Sequence, residues 1–432
     1  MTAEVIILNS NGIALAADSA VTIGGQKIYN SAIKLFSLSK TEPVGVMVYG
    51  NAGLMDVPWE TLIKIYRAQL ETDRCLTLEE YGDGFLQYLQ KKEELFPAAS
   101  QEQWVINNVT GYYTLIRDRL FENIHPVLQE KGEISDEETS DIFEKIVISQ
   151  YAYFKGLPCI DNINDNFEKK VRKKYLNIFK EILEKTFQNL KPKRSLVSKL
   201  YDIGVFLHTR EMFSKNTSGL VIAGYGTEEI YPSVLTYEIE GVIEGKLKYR
   251  VLKDKSSKIK SGSDCAIIPF AQDDMVSLFM KGANPAVLSL IETYLSQLFK
   301  RVPELIKDDD LKGANRSSVE IKTELIKNSE SLLNDFFKEL GEHIQGEHVN
   351  PVMNMVRVLP KDELASMAEA LVNLTAFKRR MTNTLETVGG PIDVAVISKG
   401  DGLVWVKRKH YFPSELNQHF FQNYFRGIES EK

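Results

Sequence analysis

Two apolar runs bracket Asn11-Gly12 at the start of the chain: Glu4-Val5-Ile6-Ile7-Leu8 and Ile13-Ala14-Leu15-Ala16-Ala17-Asp18-Ser19-Ala20. Asn-Gly between two such runs is a strong signal for a tight two-residue turn, because both residues tolerate a positive φ. The chain is therefore expected to begin as a buried β-hairpin. With the turn centred on Asn11-Gly12, Ser10 faces Ile13, Val5 faces Asp18, and Thr2 faces Val21. That register puts Asp18 three residues along the ladder from Thr2, about 10 Å away at strand rise.

Thr2 stands directly behind Met1, and its small side chain permits removal of that methionine. The exposed threonine would carry a hydroxyl and a free α-amine. A hydroxyl is a poor nucleophile until a base takes its proton, and an α-amine titrates at about pH 8, so one residue can supply both. Asp18 in the expected register is too far to act on Thr2, but Lys34 could bridge the gap. An ammonium beside the amine and hydroxyl lowers their pKa values, and a carboxylate holds that ammonium in place. The apolar run Val44 to Tyr49 ends in Gly50-Asn51-Ala52-Gly53. A glycine there lets a backbone N–H reach a ligand and stabilise an oxyanion.

Thr2, Ala16-Ala17-Asp18-Ser19, Lys34 and Gly50-Asn51-Ala52, in that order and spacing, resemble the opening of a proteasome β-subunit-type N-terminal nucleophile (Ntn) hydrolase, here a long bacterial-type member. The resemblance implies an α+β fold, a four-layer αββα sandwich of two antiparallel sheets with large helical insertions. It implies Thr2 as nucleophile, Asp18 and Lys34 as its supporting pair and Gly50 as the oxyanion donor. Thr22 matches the family's substrate-lining threonine, with Ala20, Val21 and Ala52 lining the same pocket. Ser263, in Ser261-Gly262-Ser263-Asp264, sits roughly where the family carries an auxiliary serine, although a plain turn accounts for that stretch equally well. The late Gly389-Gly390-Pro391, followed by Ile392 to Ile397, resembles the family's last hairpin, with Asp401-Gly402 as its turn. Ser218 to Gly226 and Val234 to Ile239 resemble its central strand pair. The family's aspartate and serine before the late Gly-Gly are replaced by Leu385 and Val388; Glu386 or Thr387 could substitute along a changed backbone path.

More than half of the chain has no counterpart in that resemblance, and it reads mostly as helix. Trp59, Leu62, Ile63, Tyr66 and Leu70 follow helical spacing behind Pro58. Ser135-Asp136-Glu137-Glu138 is a capping-box pattern. Phe167, Val171, Tyr175, Ile178, Ile182 and Leu183 form one apolar stripe. The expected division is a core of residues 1–74, 211–294 and 351–432, a helical insertion at 75–210, and a more charged insertion at 295–350.

The 432 residues are 43% hydrophobic, enough for one large elaborated domain. A formal net charge of −6 argues against a general nucleic-acid partner, and the basic run Lys169 to Lys174 reads as the solvated face of the stripe helix. Cys75, Cys159 and Cys265 are widely separated, as reduced thiols of a cytoplasmic protein would be. Cys265 could be a nucleophile, though a buried structural thiol fits better without a histidine motif. The chain start lacks a secretory signal, and no run reaches the roughly eighteen apolar residues of a membrane span. His343 and His348 are five apart, which puts them off one helical face, so no metal is expected, and no cofactor motif is present. The functional expectation is an acyl-enzyme hydrolase of peptide or other amide bonds, in a homo-oligomer. A non-catalytic assembly subunit and a small-molecule amidohydrolase are the alternatives.

Overall fold

The computed structural model describes all residues except 1–2, 24–26, 72, 93, 162, 189, 191, 263, 306–316, 383–387 and 426–432; side chains are described for the same residues less 22, 23, 27, 302–304, 318, 414 and 423–425. The architecture is mixed α+β, with antiparallel sheets and many helices. The contacts divide it into a first unit of Met1–Leu35, Ile230–Ser233 and Lys258–Lys432 and a second of Phe36–Glu229 and Val234–Ser257.

The first unit holds a sheet whose strands run in the order Ala266–Ala271, Ala3–Asn9, Gly12–Ala17, Asp393–Ser398, Gly402–Lys407. Every neighbouring pair is antiparallel. Alternate residues divide between the faces. Ala3, Val5, Ile7, Ala14, Ala16, Val394 and Val396 pack against Leu364, Ala368, Leu371 and Val372 of the helix Lys361–Arg380. Small alanines on both sides let helix and sheet approach closely. The opposite residues, Ile6, Leu8, Ile13, Leu15 and Ile397, are buried too. A sheet covered on both faces needs near-continuous apolar strands, which is why these segments do not alternate in polarity.

The first hairpin forms, but two residues out of the expected register. Asn9 pairs with Gly12 and Glu4 with Ala17, so Ser10 and Asn11 make the turn. The cause is Asn9. Its Oδ1 accepts the Asn11 N–H at 2.8 Å, while its Nδ2 donates to the carbonyls of Val356 and Leu359 at 2.8 and 2.9 Å. An Asn side chain that closes the turn on itself competes with the Asn-Gly signal one step later. The late hairpin shifts as well. Ser398 pairs with Gly402, so the loop is Lys399 to Asp401, closed by Gly402 at φ 73°, the three-residue form with a left-handed glycine.

The helix Ser318–Ile344 begins at a capping box of Ser317 and Glu320 and packs against Pro285–Leu305. Gln345–Val349 then winds as a π-helix. A π-turn brings residues five apart together, and the rings of His343 and His348 meet edge to face at 6.4 Å. The expectation that they lie off one face assumed regular α-helix. The acidic run Asp308-Asp309-Asp310 and Lys312, within the charged insertion, lie outside the described residues.

A second sheet, which belongs to the second unit except for Leu35 and Ser233, runs in the order Lys246–Val251, Ser233–Ile243, Ser218–Gly224, Val44–Gly50, Leu35–Ser37. The helix Trp59–Leu70 buries all five residues of its apolar stripe, and Trp59 Nε1 donates to Ser218 Oγ at 2.8 Å. The helices Ala98–Lys131, Asp136–Gly156, Asp165–Thr186 and Arg194–Thr209 share a core that includes Val109, Tyr113, Phe143, Phe154, Tyr175, Phe179 and Leu200. The Ser135–Glu138 capping box is made in both directions. In the stripe helix Phe179 is fully buried and Ile178 partly so; Gly204 of the neighbouring helix lies against the Phe179 ring, where a Cβ would come within 3.3 Å of it.

Candidate active site at the start of the first strand

Asp18 is the first residue past the strand Gly12–Ala17, and the observed register sets it opposite Ala3. The two residues exchange bonds. The Asp18 N–H donates to the Ala3 carbonyl at 3.1 Å, and the Ala3 N–H donates to Asp18 Oδ1 at 3.1 Å. The expected spacing of about 10 Å at strand rise is therefore wrong by two residues: Asp18 holds the peptide nitrogen that follows Thr2.

The same Oδ1 receives the Lys34 ammonium at 2.5 Å. Oδ2 accepts the N–H groups of Ala20 at 3.2 Å and Gly389 at 2.9 Å. Four donors on two oxygens match what a carboxylate can accept. Asp18 is 0% exposed and Lys34 6%, so this is a buried ion pair, and removal of either partner would strand the other in the interior.

The late Gly-Gly explains how the loop closes on Asp18. The Gly389 carbonyl accepts the Ser19 N–H at 3.1 Å, and Ser19 Oγ donates to the Pro391 carbonyl. Gly390 has φ 77°, and a Cβ there would lie 2.7 Å from that of Asn30. Both the left-handed backbone and the close approach require glycine.

A second acid–lysine pair lies beside the first. Asp393 sits opposite Ala17 across the sheet. It accepts the Lys409 N–H at 2.8 Å on Oδ1 and the Lys409 ammonium at 2.5 Å on Oδ2. Asp393 is buried, and burial pulls the Lys409 ammonium below its ordinary pKa, with repulsion from Lys34 acting in the same direction and its bonds to Asp393 opposing both. Sequence reading passed over both residues. The available signal was a lone acid inside the apolar run Ile392 to Ile397.

The other expected site residues fall as follows. Ala20 is buried beside Asp18, as its bond to Oδ2 requires. Val21 begins a short strand that pairs with Tyr29, and the Thr22 backbone pairs with Ile28. Gly50 and Ala52 belong to the second unit. Gly50 ends its strand at φ 81°, where a Cβ would meet the Thr217 carbonyl at 2.6 Å, and the Ala52 carbonyl accepts the Trp59 N–H at 3.1 Å. Thr2, Ser263, Leu385, Glu386 and Thr387 lie outside the described residues. Next to Ser263, Asp264 accepts the N–H groups of Lys260 and Ser261, a self-closed turn. Val388 is a core residue. The Cys265 thiol donates to the Met353 carbonyl at 3.3 Å, and burial pushes its pKa up, which works against a thiolate nucleophile. Among the described residues no group of three His, Cys, Asp or Glu could hold a metal, and no helix is long and apolar enough to cross a membrane.

No family model matches this chain, and no curated protein matches it. A solved structure that it resembles is Anbu (ancestral beta-subunit) from Yersinia bercovieri, at 9% sequence identity and a TM-score of 0.27, covering 100% of this chain and 97% of that one. These values do not place the chain in the proteasome β-subunit-type family, and the membership expected from its opening residues is corrected accordingly.

Proposed function

We propose that the protein is a threonine-nucleophile hydrolase of peptide or other amide bonds, formed when the bond before Thr2 is cut. The supporting observation is the shared oxygen: Asp18 Oδ1 takes both the Ala3 N–H and the Lys34 ammonium. One buried carboxylate thus fixes the backbone next to the nucleophile and the cation that would act on it. In the reaction, Thr2 Oγ bonds to the carbonyl carbon as its proton passes to the α-amine. The C–N bond then breaks, and the amine returns that proton to the leaving nitrogen. Water attacks the acyl-enzyme by the same route in reverse. Lys34 lowers the proton affinity of amine and hydroxyl, and Asp18 keeps it in position.

The four-layer αββα sandwich, the homo-oligomer and the cytoplasmic location belong to this proposal as well. The test is intact-mass measurement of the purified protein before and after treatment with a peptide vinyl sulfone. The expected result is a chain beginning at Thr2 that gains one adduct, and a Thr2→Ala variant that gains none. A chain that begins at Thr2 and stays unmodified would sink the enzymatic reading.

A further inference from the structure

The Asp393–Lys409 pair poses a physical question. A buried ion pair is weak evidence for stability, because apolar residues of similar size often serve as well. Here the pair also brings a second ammonium toward Lys34, which is unfavourable by itself. The geometry ties it to the candidate site. The segment Gly389 to Asp393 runs beside Ala17 to Ser19: Gly389 bonds Asp18, Pro391 bonds Ser19, and Asp393 faces Ala17. Lys409, held by Asp393 through backbone and side chain, repels Lys34 and attracts Asp18.

We infer that Lys409, anchored by Asp393, is a positioning residue whose charge sets the pH range in which Thr2 reacts. This rests on the proposal that Thr2 is the nucleophile. The α-amine must be unprotonated to act as base, and each nearby cation makes it give up its proton more readily. The charged groups around this end of the sheet come from several elements. They are Glu4 on the first strand, Asp18 and Lys34, Asp393 and Lys409. Past the strand that pairs with Ala3 lie Asp274, Lys378 and Arg379, the last two on the helix Lys361–Arg380, with Lys378 paired to Asp274 and Arg379 bonded to Gln272. Lys409 is bonded to Asp393, which pairs across the sheet with Ala17, the residue before Asp18.

The experiment is the rate of adduct formation at Thr2 by a peptide vinyl sulfone, measured across pH. In Lys409→Met a cation is lost, the amine binds its proton more tightly, and the acid limb moves to higher pH by about half a unit or more. Lys409→Arg keeps the charge and returns the limb to its original place. Should Lys409→Met fail to fold, the double variant Asp393→Asn, Lys409→Gln leaves no unpaired buried charge, and it is expected to shift the limb the same way because Lys409 is the member acting on Lys34. An unmoved profile in a folded variant that is still labelled would overturn the inference. Absence of labelling in the unmutated protein would instead overturn the nucleophile assignment, so the two failures are distinct.

Discussion

Ala3 and Asp18 grip each other at both ends: the backbone of Asp18 donates to the Ala3 carbonyl, and its side chain takes back the Ala3 N–H, each at 3.1 Å. Oδ1 also holds Lys34 at 2.5 Å, so the Ala3 backbone and the lysine share one acceptor atom. Stability and reactivity should therefore both respond to changes at this pair.

Lys34→Met leaves Asp18 as a buried charge without its cation, a loss of about 3–5 kcal/mol. The double variant Asp18→Leu, Lys34→Met removes both charges but leaves the N–H groups of Ala3, Ala20 and Gly389 without their acceptor, so it should be no more stable than Lys34→Met, and vinyl sulfone labelling stays lost. Urea unfolding of the three proteins, with labelling measured in parallel, checks this. A double variant markedly more stable than Lys34→Met would show that those three N–H groups do not depend on the carboxylate.

Gly390 and Gly402 both sit at positive φ, 77° and 73°, yet their surroundings differ. A Cβ on Gly390 would press on Asn30 at 2.7 Å, whereas on Gly402 it would meet nothing within 4 Å. Gly402→Ala should cost about 1–2 kcal/mol, the price of a left-handed L-residue. Gly390→Ala should cost about 2–4 kcal/mol once crowding is added. It should also slow labelling, because the neighbouring Gly389 N–H holds Asp18 Oδ2 at 2.9 Å. Equal losses in the two variants would show that the Asn30 contact relaxes freely.

The existence of the first hairpin was legible in its apolar runs, but its register was not. Register depended on Asn9, whose Nδ2 bonds Val356 and Leu359, the former 347 residues away. No local pattern carries such a partner. Helix stripes fared better, since spacing alone decides them: Trp59, Leu62, Ile63, Tyr66 and Leu70 are all buried. Spacing failed at His343 and His348, where it presumed 3.6 residues per turn and the backbone makes a π-turn. Asp18 and Lys34 were paired through the resemblance of the opening residues, and they do meet, although meeting does not test what they catalyse. Asp393 and Lys409 went unnoticed because each has an ordinary local context, and they become a pair only when the last hairpin folds back.

The register argument makes Asn9 testable. It is fully buried and uses both ends of its amide, with Oδ1 on the Asn11 N–H at 2.8 Å and Nδ2 on two carbonyls. Asn9→Asp keeps the acceptor but replaces the donor with a second oxygen facing those carbonyls. The expected loss is about 2–4 kcal/mol, read as a lower urea midpoint at pH 7. A loss below about 0.5 kcal/mol, the scale of an inert surface change, would mean that Asn9 does not set the register.

His208 offers a pH test in the second unit. Its ring is fully buried; Nδ1 lies 2.8 Å from the Gly204 carbonyl and so carries the proton, and Asn108 approaches Nε2 at 3.5 Å. Burial, followed by the charge of Lys248, lowers its pKa to about 4 from the ordinary 6.5. The folded protein thus keeps His208 neutral where the unfolded chain protonates it. Its contribution is fully present above pH 6.5, declines as pH falls, and is gone below about pH 4. Between pH 7 and pH 4.5 the unmutated protein should lose about 2–3 kcal/mol more than His208→Gln, which cannot titrate. Urea unfolding of both proteins at the two pH values isolates this difference from the carboxylates they share. Parallel losses would show that His208 protonates within the fold without penalty.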